Sequence, residues 1–276
     1  MAQMRKVVDS NFLRSNALRE YLSKSSKNFV VVTDYACMEV YKSNSIDSIC
    51  RSMEILAQYP KQVIVLKGTS VVCGLKGRRA GLQRRLIDDQ QTQEFREFCR
   101  HLITARHGDL SIQRQLLEHG RAATANINRI QADSANLLNA ISAYANDFTD
   151  TEVRVLRKGL PFTKEMADKF IRNVLLIAGN MFKDHPRVKK FPKAKEFPNT
   201  FIFRAALCAY LLTLRWISDG GAQSAKPAKM RNDIVDVSFA AYATFFDGVL
   251  TKDKKLRGIY ERAAFILPII YDMTEN

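Results

Sequence analysis

The chain has 276 residues, 46% hydrophobic and 26% charged, the composition of a folded globular protein with room for one large domain or two small ones. Its 43 basic and 28 acidic residues leave a net charge of +15, which favours a polyanionic partner, most simply RNA or DNA, or an acidic protein, and argues against reading paired acids as a glycoside hydrolase. No apolar run approaches a membrane span, the polar segment 1–11 lacks the core of a signal peptide, and the cysteines and histidines show no zinc-ligand spacing, so the expectation is a cytoplasmic protein with buried, reduced thiols and no structural zinc.

Residues 1–27 read as a helix with Phe12, Leu13, Leu18, Tyr21 and Leu22 on its apolar side. Phe29-Val30-Val31-Val32 is aromatic and β-branched without polar alternation, the pattern of a central strand, and Thr33-Asp34 ends it. Asp34 therefore stands at a strand's C-terminal edge, either as the N-cap of a helix through Cys37 to Tyr41 or facing a cleft that Glu39 also reaches. Ser45 opens an amphipathic helix carried by Ile46, Ile49, Cys50, Met53 and Leu56, and Tyr59-Pro60 stops it. Val63-Ile64-Val65-Leu66 is a second buried strand. Strand, helix and strand in this order make a βαβ unit with parallel strands.

Lys67-Gly68-Thr69-Ser70 lacks the Gly-Lys-Ser/Thr order of a phosphate loop, and no Gly-x-Gly-x-x-Gly supports a dinucleotide. Lys76, Arg78, Arg79, Arg84 and Arg85, spaced by Gly74, Gly77 and Gly81, make a basic, flexible segment suited to a phosphate backbone or to a solvated surface. From 86 to about 180 the chain reads helical, broken near Gly159-Leu160-Pro161. Its longest helix runs from Leu110 to Ala145, with Leu116, Leu117, Ile127, Ile130, Leu137, Leu138, Ile141 and Tyr144 on its apolar side. This block is too long for an ordinary crossover and reads as a helical insertion or cap on an α/β core, with 1–85 and 200–276 as the core and 86–199 as the insertion. A second basic segment, 183–195, carries Arg187, Lys189, Lys190 and Lys193. Phe191 and Phe197 interleave with it, either as rings on a strand-binding surface or as anchors to the core.

Phe201 to Ile217 is a strongly apolar helix containing Trp216, ended by Asp219-Gly220-Gly221. A polar linker over 222–229 leads to an acidic stretch. Asp233 and Asp236 are three apart and share a helix face. Gly248-Val249-Leu250-Thr251 reads as a short buried strand, Asp247 caps the turn before it, and Asp253 falls just past its end, where open α/β sheets place their ligands. Paired carboxylates there suit a hard divalent cation such as Mg²⁺ or Mn²⁺. Each acid alone also fits a cap or a first helical turn. A helix from Lys254 to Arg262 and a strand over Ala264-Phe265-Ile266-Leu267 close the chain.

Two stretches together resemble the PIN-domain nucleases. One is the aspartate that closes Val30-Val31-Val32-Thr33-Asp34. The other is the acidic helix Asp236-Val237-Ser238-Phe239-Ala240-Ala241-Tyr242-Ala243 running into Gly248-Val249-Leu250-Thr251-Lys252-Asp253, a strand with a Thr-x-Asp ending. The resemblance covers about residues 28–66 and 230–270. It implies a PIN-like central parallel sheet flanked by helices. It also implies metal-dependent hydrolysis of phosphodiester bonds, usually in RNA, and in many bacterial members a toxin that arrests growth. Asp34, Asp236 and Asp253 would hold Mg²⁺ or Mn²⁺ with Asp233 or Glu39 completing the set, and Thr251 would orient a carboxylate. Lys67 stands where that family often has an acid, a position Glu39, Glu54, Glu94 or Glu97 would have to fill.

The expected function is thus a metal-dependent endoribonuclease, a toxin or defence effector held in check by an acidic partner. The alternatives are a DNA nuclease, a nucleic-acid-binding module without a full metal set, and an interaction subunit whose helical block docks a regulator.

Overall fold

The computed structural model describes residues 3–220 and 227–275. Most of the linker expected over 222–229 lies outside the described residues, as do the side chains of Ile130, Leu137, Leu138 and Ile141. At the centre is a four-stranded parallel sheet of β1 (Met4–Val8), β2 (Asn28–Val32), β3 (Val63–Val65) and β4 (Val249–Leu250), in the order β3-β2-β1-β4. Val7 is the pivot of the register, paired with Val31 on one side and Val249 on the other. Val30, Val31 and Val32 are buried because β2 has a neighbour on each edge and helices on the faces, the setting in which a β-branched run is favoured.

The first three strands step outward through short helices. α1 (Asn16–Lys24) links β1 to β2, and α2 (Asp34–Tyr41) with α3 (Ile46–Gln58) links β2 to β3. In α3 the Ser45 hydroxyl accepts the Ser48 N–H as an N-cap, and Ile49, Cys50, Met53 and Leu56 form the buried stripe that the sequence periodicity predicts. The chain then builds α4 (Thr69–Cys73), α5 (Leu82–Leu86), α6 (Asp89–Arg106), α7 (Leu110–Asn146), α8 (Asp150–Lys158), α9 (Lys164–Asp184), α10 (Phe201–Ser218) and α11 (Pro227–Ala243) before β4 returns to the far side of β1. α12 (Lys254–Glu275) follows β4. The direction of sheet growth reverses between β1 and β4, and at such a reversal the loops leaving the two strands part and open a crevice at their C-terminal ends.

The helical block from 86 to 199 is packed into the same hydrophobic cluster as the sheet: α6 lies on α3, and α7 lies on α2 and α11. At the α2–α7 crossing Gly120 has no room for a side chain, since a Cβ there would lie 2.9 Å from the Tyr41 carbonyl oxygen. α10 is the hub, with α9, α11 and α12 around it. This helix corrects one sequence expectation. It is long and apolar enough to cross a membrane, and 83% of it is buried inside the fold.

Two further expectations change. Residues 1–27 are not one helix, because Met4–Val8 forms β1 before α1 begins. Ala264–Leu267 is not a strand but part of α12, whose buried residues Leu256, Ile259, Ala263, Leu267 and Ile270 recur every three or four positions while Phe265 is 74% exposed.

Candidate active site

The crevice between β1 and β4 is lined by carboxylates delivered from four elements. The chain leaves β1 at Asp9, whose N–H still bonds the Leu250 carbonyl of β4 at 3.0 Å and whose side chain is almost fully buried. Thr251, buried at the end of β4, donates its hydroxyl to Asp9 Oδ2 at 2.8 Å and accepts the Asp253 N–H at 2.9 Å. One threonine thus fixes the aspartates of two neighbouring strands. Asp253 also caps α12, its Oδ1 accepting the N–H groups of Lys255 (2.6 Å) and Leu256 (3.0 Å), so its role as a helix cap is realised in the fold. Glu39 enters from α2 and accepts a short hydrogen bond from the Ser10 hydroxyl, with Lys42 Nζ 2.7 Å from its other oxygen. Asp236 enters from α11, half-buried.

These acids share one electrostatic field. Burial first, then the carboxylates of Asp253, Asp9 and Glu39, push the Asp236 carboxyl up to about 8. Lys255 Nζ, 3.1 Å from Asp236 Oδ2, opposes that push. Burial raises Asp9 as well, with Glu39 adding to it and the Thr251 hydroxyl working against it.

Of the sequence-predicted residues, Glu39, Asp236, Thr251 and Asp253 come together here. Asp34 and Asp233 do not. The Asp34 carboxylate is taken up by Thr69, from its N–H at 2.6 Å and its hydroxyl at 2.7 Å, and by the Tyr35 N–H at 2.9 Å, so it ties the end of β2 to the start of α4. Asp233 is 1% exposed and shares the Lys255 ammonium with Asp236. It accepts the Trp216 indole N–H at 3.1 Å and is ion-paired with the Lys255 ammonium. Its job is to hold a lysine, and that occupies the oxygens a metal would need. Glu94 and Glu97 lie on α6, where Glu97 pairs with Arg100, and Glu54 is exposed on α3.

Asp9, Ser10 and Lys255 are the residues that the sequence reading missed. The signal for Asp9 was present: Val7-Val8-Asp9 is a short apolar run closed by an aspartate, the same pattern that singled out Asp34.

An all-oxygen, largely buried set of mutually repelling carboxylates has the donor chemistry of a Mg²⁺ or Mn²⁺ site. As the side chains stand, no three acids, histidines or cysteines among the described residues are close enough to share one ion. Coordination therefore requires them to close in, with the Lys255 ammonium giving way at Asp236. Next to Thr251 an open cleft of about 360 Å³ runs along β4, lined by Lys6, Asp247, Thr251, Arg257, Tyr260 and Glu261.

The predicted basic residues lie elsewhere. Lys76, Arg78 and Arg84 are exposed, as are Lys189, Lys190 and Lys193. Arg79 stacks over the Tyr271 ring at 5.4 Å, and Arg84 is 3.6 Å from the Asp89 carboxylate. Arg85 departs from its expected role. Its guanidinium donates to the carbonyls of Lys76, Arg78 and Ala80, which staples the loop and removes those donors from any phosphate. Scans against protein-family models, curated proteins and solved structures found no match to this chain.

Proposed function

We propose that the chain is a PIN-like, metal-dependent endoribonuclease. The observation that carries this reading is the meeting of Asp9, Glu39, Asp236 and Asp253 at the β1–β4 reversal of a parallel sheet ordered 3-2-1-4. Asp9, Asp236 and Asp253, with Glu39, would hold Mg²⁺ or Mn²⁺. A divalent ion so held supplies an activated water and neutralises charge on the attacked phosphate. The rest falls to the chain. Thr251 aligns Asp9 with Asp253, and Ser10 aligns Glu39. Asp233 and Trp216 keep the Lys255 ammonium beside Asp236, where it balances the carboxylates until a metal arrives. The positive charge of the whole chain recruits RNA, and an acidic protein is the natural form of an inhibitor.

Cleavage of labelled RNA by wild type and by Asp253→Asn, each with Mn²⁺ or with EDTA, tests the reading. Asparagine retains the cap at Asp253 while removing the charge, so the variant is expected to fold and to bind RNA without cutting it. Full activity in Asp253→Asn, or cutting in EDTA, would sink it.

Metal binding has its own readout in stability. A carboxyl whose pKa is raised in the folded state holds its proton more tightly than the unfolded chain does. Its contribution to stability is therefore present below the ordinary carboxylate range and is lost as pH rises towards about 8. In EDTA this group is expected to lower the melting temperature between pH 4 and pH 8. Mn²⁺ at about a hundred times its Kd should restore about 2.7 kcal/mol at pH 8. A melting temperature at pH 8 that does not respond to Mn²⁺ would count against the site.

A second reading has an observation of its own in the Lys255 ammonium beside Asp236. A protein in which that ammonium permanently replaces the metal would bind nucleic acid equally well in EDTA and in Mg²⁺, and would cut nothing.

A further inference from the structure

The two basic segments, separated by about a hundred residues in the chain, adjoin in the fold. A Cβ at Gly74 would lie 3.0 Å from Arg187 Cβ, one at Gly77 would lie 2.5 Å from the Glu196 carbonyl oxygen, and Arg187 Nε donates to Ser70 Oγ at 3.1 Å. Two glycines let the loop after α4 lie directly against the segment that follows α9. Lys76 and Arg78 from the first and Lys189, Lys190 and Lys193 from the second are exposed, and none of the five is ion-paired among the described residues. The neighbouring Glu196 is engaged locally, its carboxylate accepting the Lys193 N–H at 3.2 Å.

Within the lysines sits Phe191, 52% exposed. Its ring is backed by Phe182 at 5.2 Å and Phe197 at 5.8 Å between centroids, so a rigid aromatic platform holds it towards solvent. A fixed, half-exposed ring among unpaired cations is what a single strand needs, since unpaired bases stack and the backbone phosphates meet ammonium groups. A duplex hides its bases, and an acidic protein has less use for the ring.

This face is far from the acids. Arg79 at its edge covers Tyr271, sixteen residues along α12 from the Lys255 that pairs with Asp236.

We propose that the joined basic segments form a docking face for single-stranded RNA, centred on Phe191 and separate from the acidic crevice. The docking itself does not depend on the nuclease reading. The consequence for substrate length does rest on it: the enzyme would favour strands long enough to reach both sites.

The test uses the full chain with a labelled 24-nucleotide single strand in EDTA, read by fluorescence anisotropy across a salt series. Replacing Lys189, Lys190 and Lys193 together by Glu is expected to weaken binding at least tenfold. It should also reduce the slope of log K against log salt by about 2, from about 0.7 for each lost phosphate contact. Phe191→Ala should weaken binding about tenfold with little change in slope. Because that ring also packs on its neighbours, the exposed lysine variant is the control for folding. Affinity within twofold of wild type in the lysine variant would overturn the proposal. So would a duplex binding as tightly as the single strand, or polyglutamate binding more tightly than either and failing in the same variant. With Mn²⁺ present, wild type should cut the 24-mer faster than a 6-mer and the lysine variant should treat them alike. Binding that falls as expected in a protein that cuts nothing would uphold the face and remove the nuclease reading.

Discussion

Asp236→Asn is expected to cut RNA at least 10²–10³-fold more slowly than wild type, the scale on which removing one charged contact at a reacting centre is felt. The site opposes the ionisation of Asp236, pushing its carboxyl up to about 8 through burial and through Asp253, Asp9 and Glu39. A charge held against that opposition is of use when a cation arrives, and is a liability otherwise. The variant should therefore melt no lower than wild type in EDTA at pH 8, while Mn²⁺ should no longer raise its melting temperature. Lys255 keeps its ion pair with Asp233 in the variant, so no buried ammonium is stranded. Loss of activity with loss of fold would mean that Asp236 is structural. Loss of activity with an unchanged response to Mn²⁺ would place the metal elsewhere.

The largest expected loss of stability comes from Arg204→Ala. Arg204 is 4% exposed within α10, and among the described residues no carboxylate pairs with it. Its guanidinium donates to the Pro198 carbonyl at 2.7 Å, to the Thr244 carbonyl and hydroxyl, and to Tyr271 Oη at 2.9 Å, and it lies 3.7 Å above the Phe245 ring. One side chain joins the turn before α10, the end of α11 and the end of α12. Truncation leaves the half-buried Thr244 carbonyl without its side-chain donor and opens a cavity. The expected cost is about 3–5 kcal/mol, which at about 2–4 °C per kcal/mol for a chain of this size is about 10 °C in Tm. Arg204→Lys should recover little of it, because the three N–H groups of an ammonium radiate from one atom and cannot reach partners that Nε, Nη1 and Nη2 reach separately. A melting temperature within a few degrees of wild type for Arg204→Ala would mean that these carbonyls find other donors.

The sequence made β2 and α3 readable because their signals are local: a valine run in one, a Ser45 cap with helical periodicity in the other. The Thr251 and Asp253 pair was readable for the same reason. β1 was not, because only Val7 and Val8 of its residues are buried, while Met4 is 41% exposed and Arg5 and Lys6 look like helix surface. With β1 went Asp9. Asp34 and Asp9 are each an aspartate after a short apolar run, and sequence offers no means of choosing between them. The choice is made by strand order, which puts β1 beside β4 and leaves β2 one strand away. Asp233 and Asp236 share a helix face as predicted. What separates their roles is Trp216 on α10 and Lys255 on α12, partners remote in sequence. The apolar run 264–267 was ambiguous because four residues fit either period, and only the exposed Phe265 in the folded chain decides.

The two-residue strand β4 has a consequence for biosynthesis. Asp9 leaves the ribosome well before Thr251 and Asp253, which complete its surroundings and follow the last strand of the sheet. At about 5–20 residues per second, tens of seconds of translation separate the two. Through that interval the growing polypeptide carries β1 to β3 and half of its acids, but no crevice. On the nuclease reading proposed above, this order would keep the nascent chain harmless to its own messenger until β4 has been made.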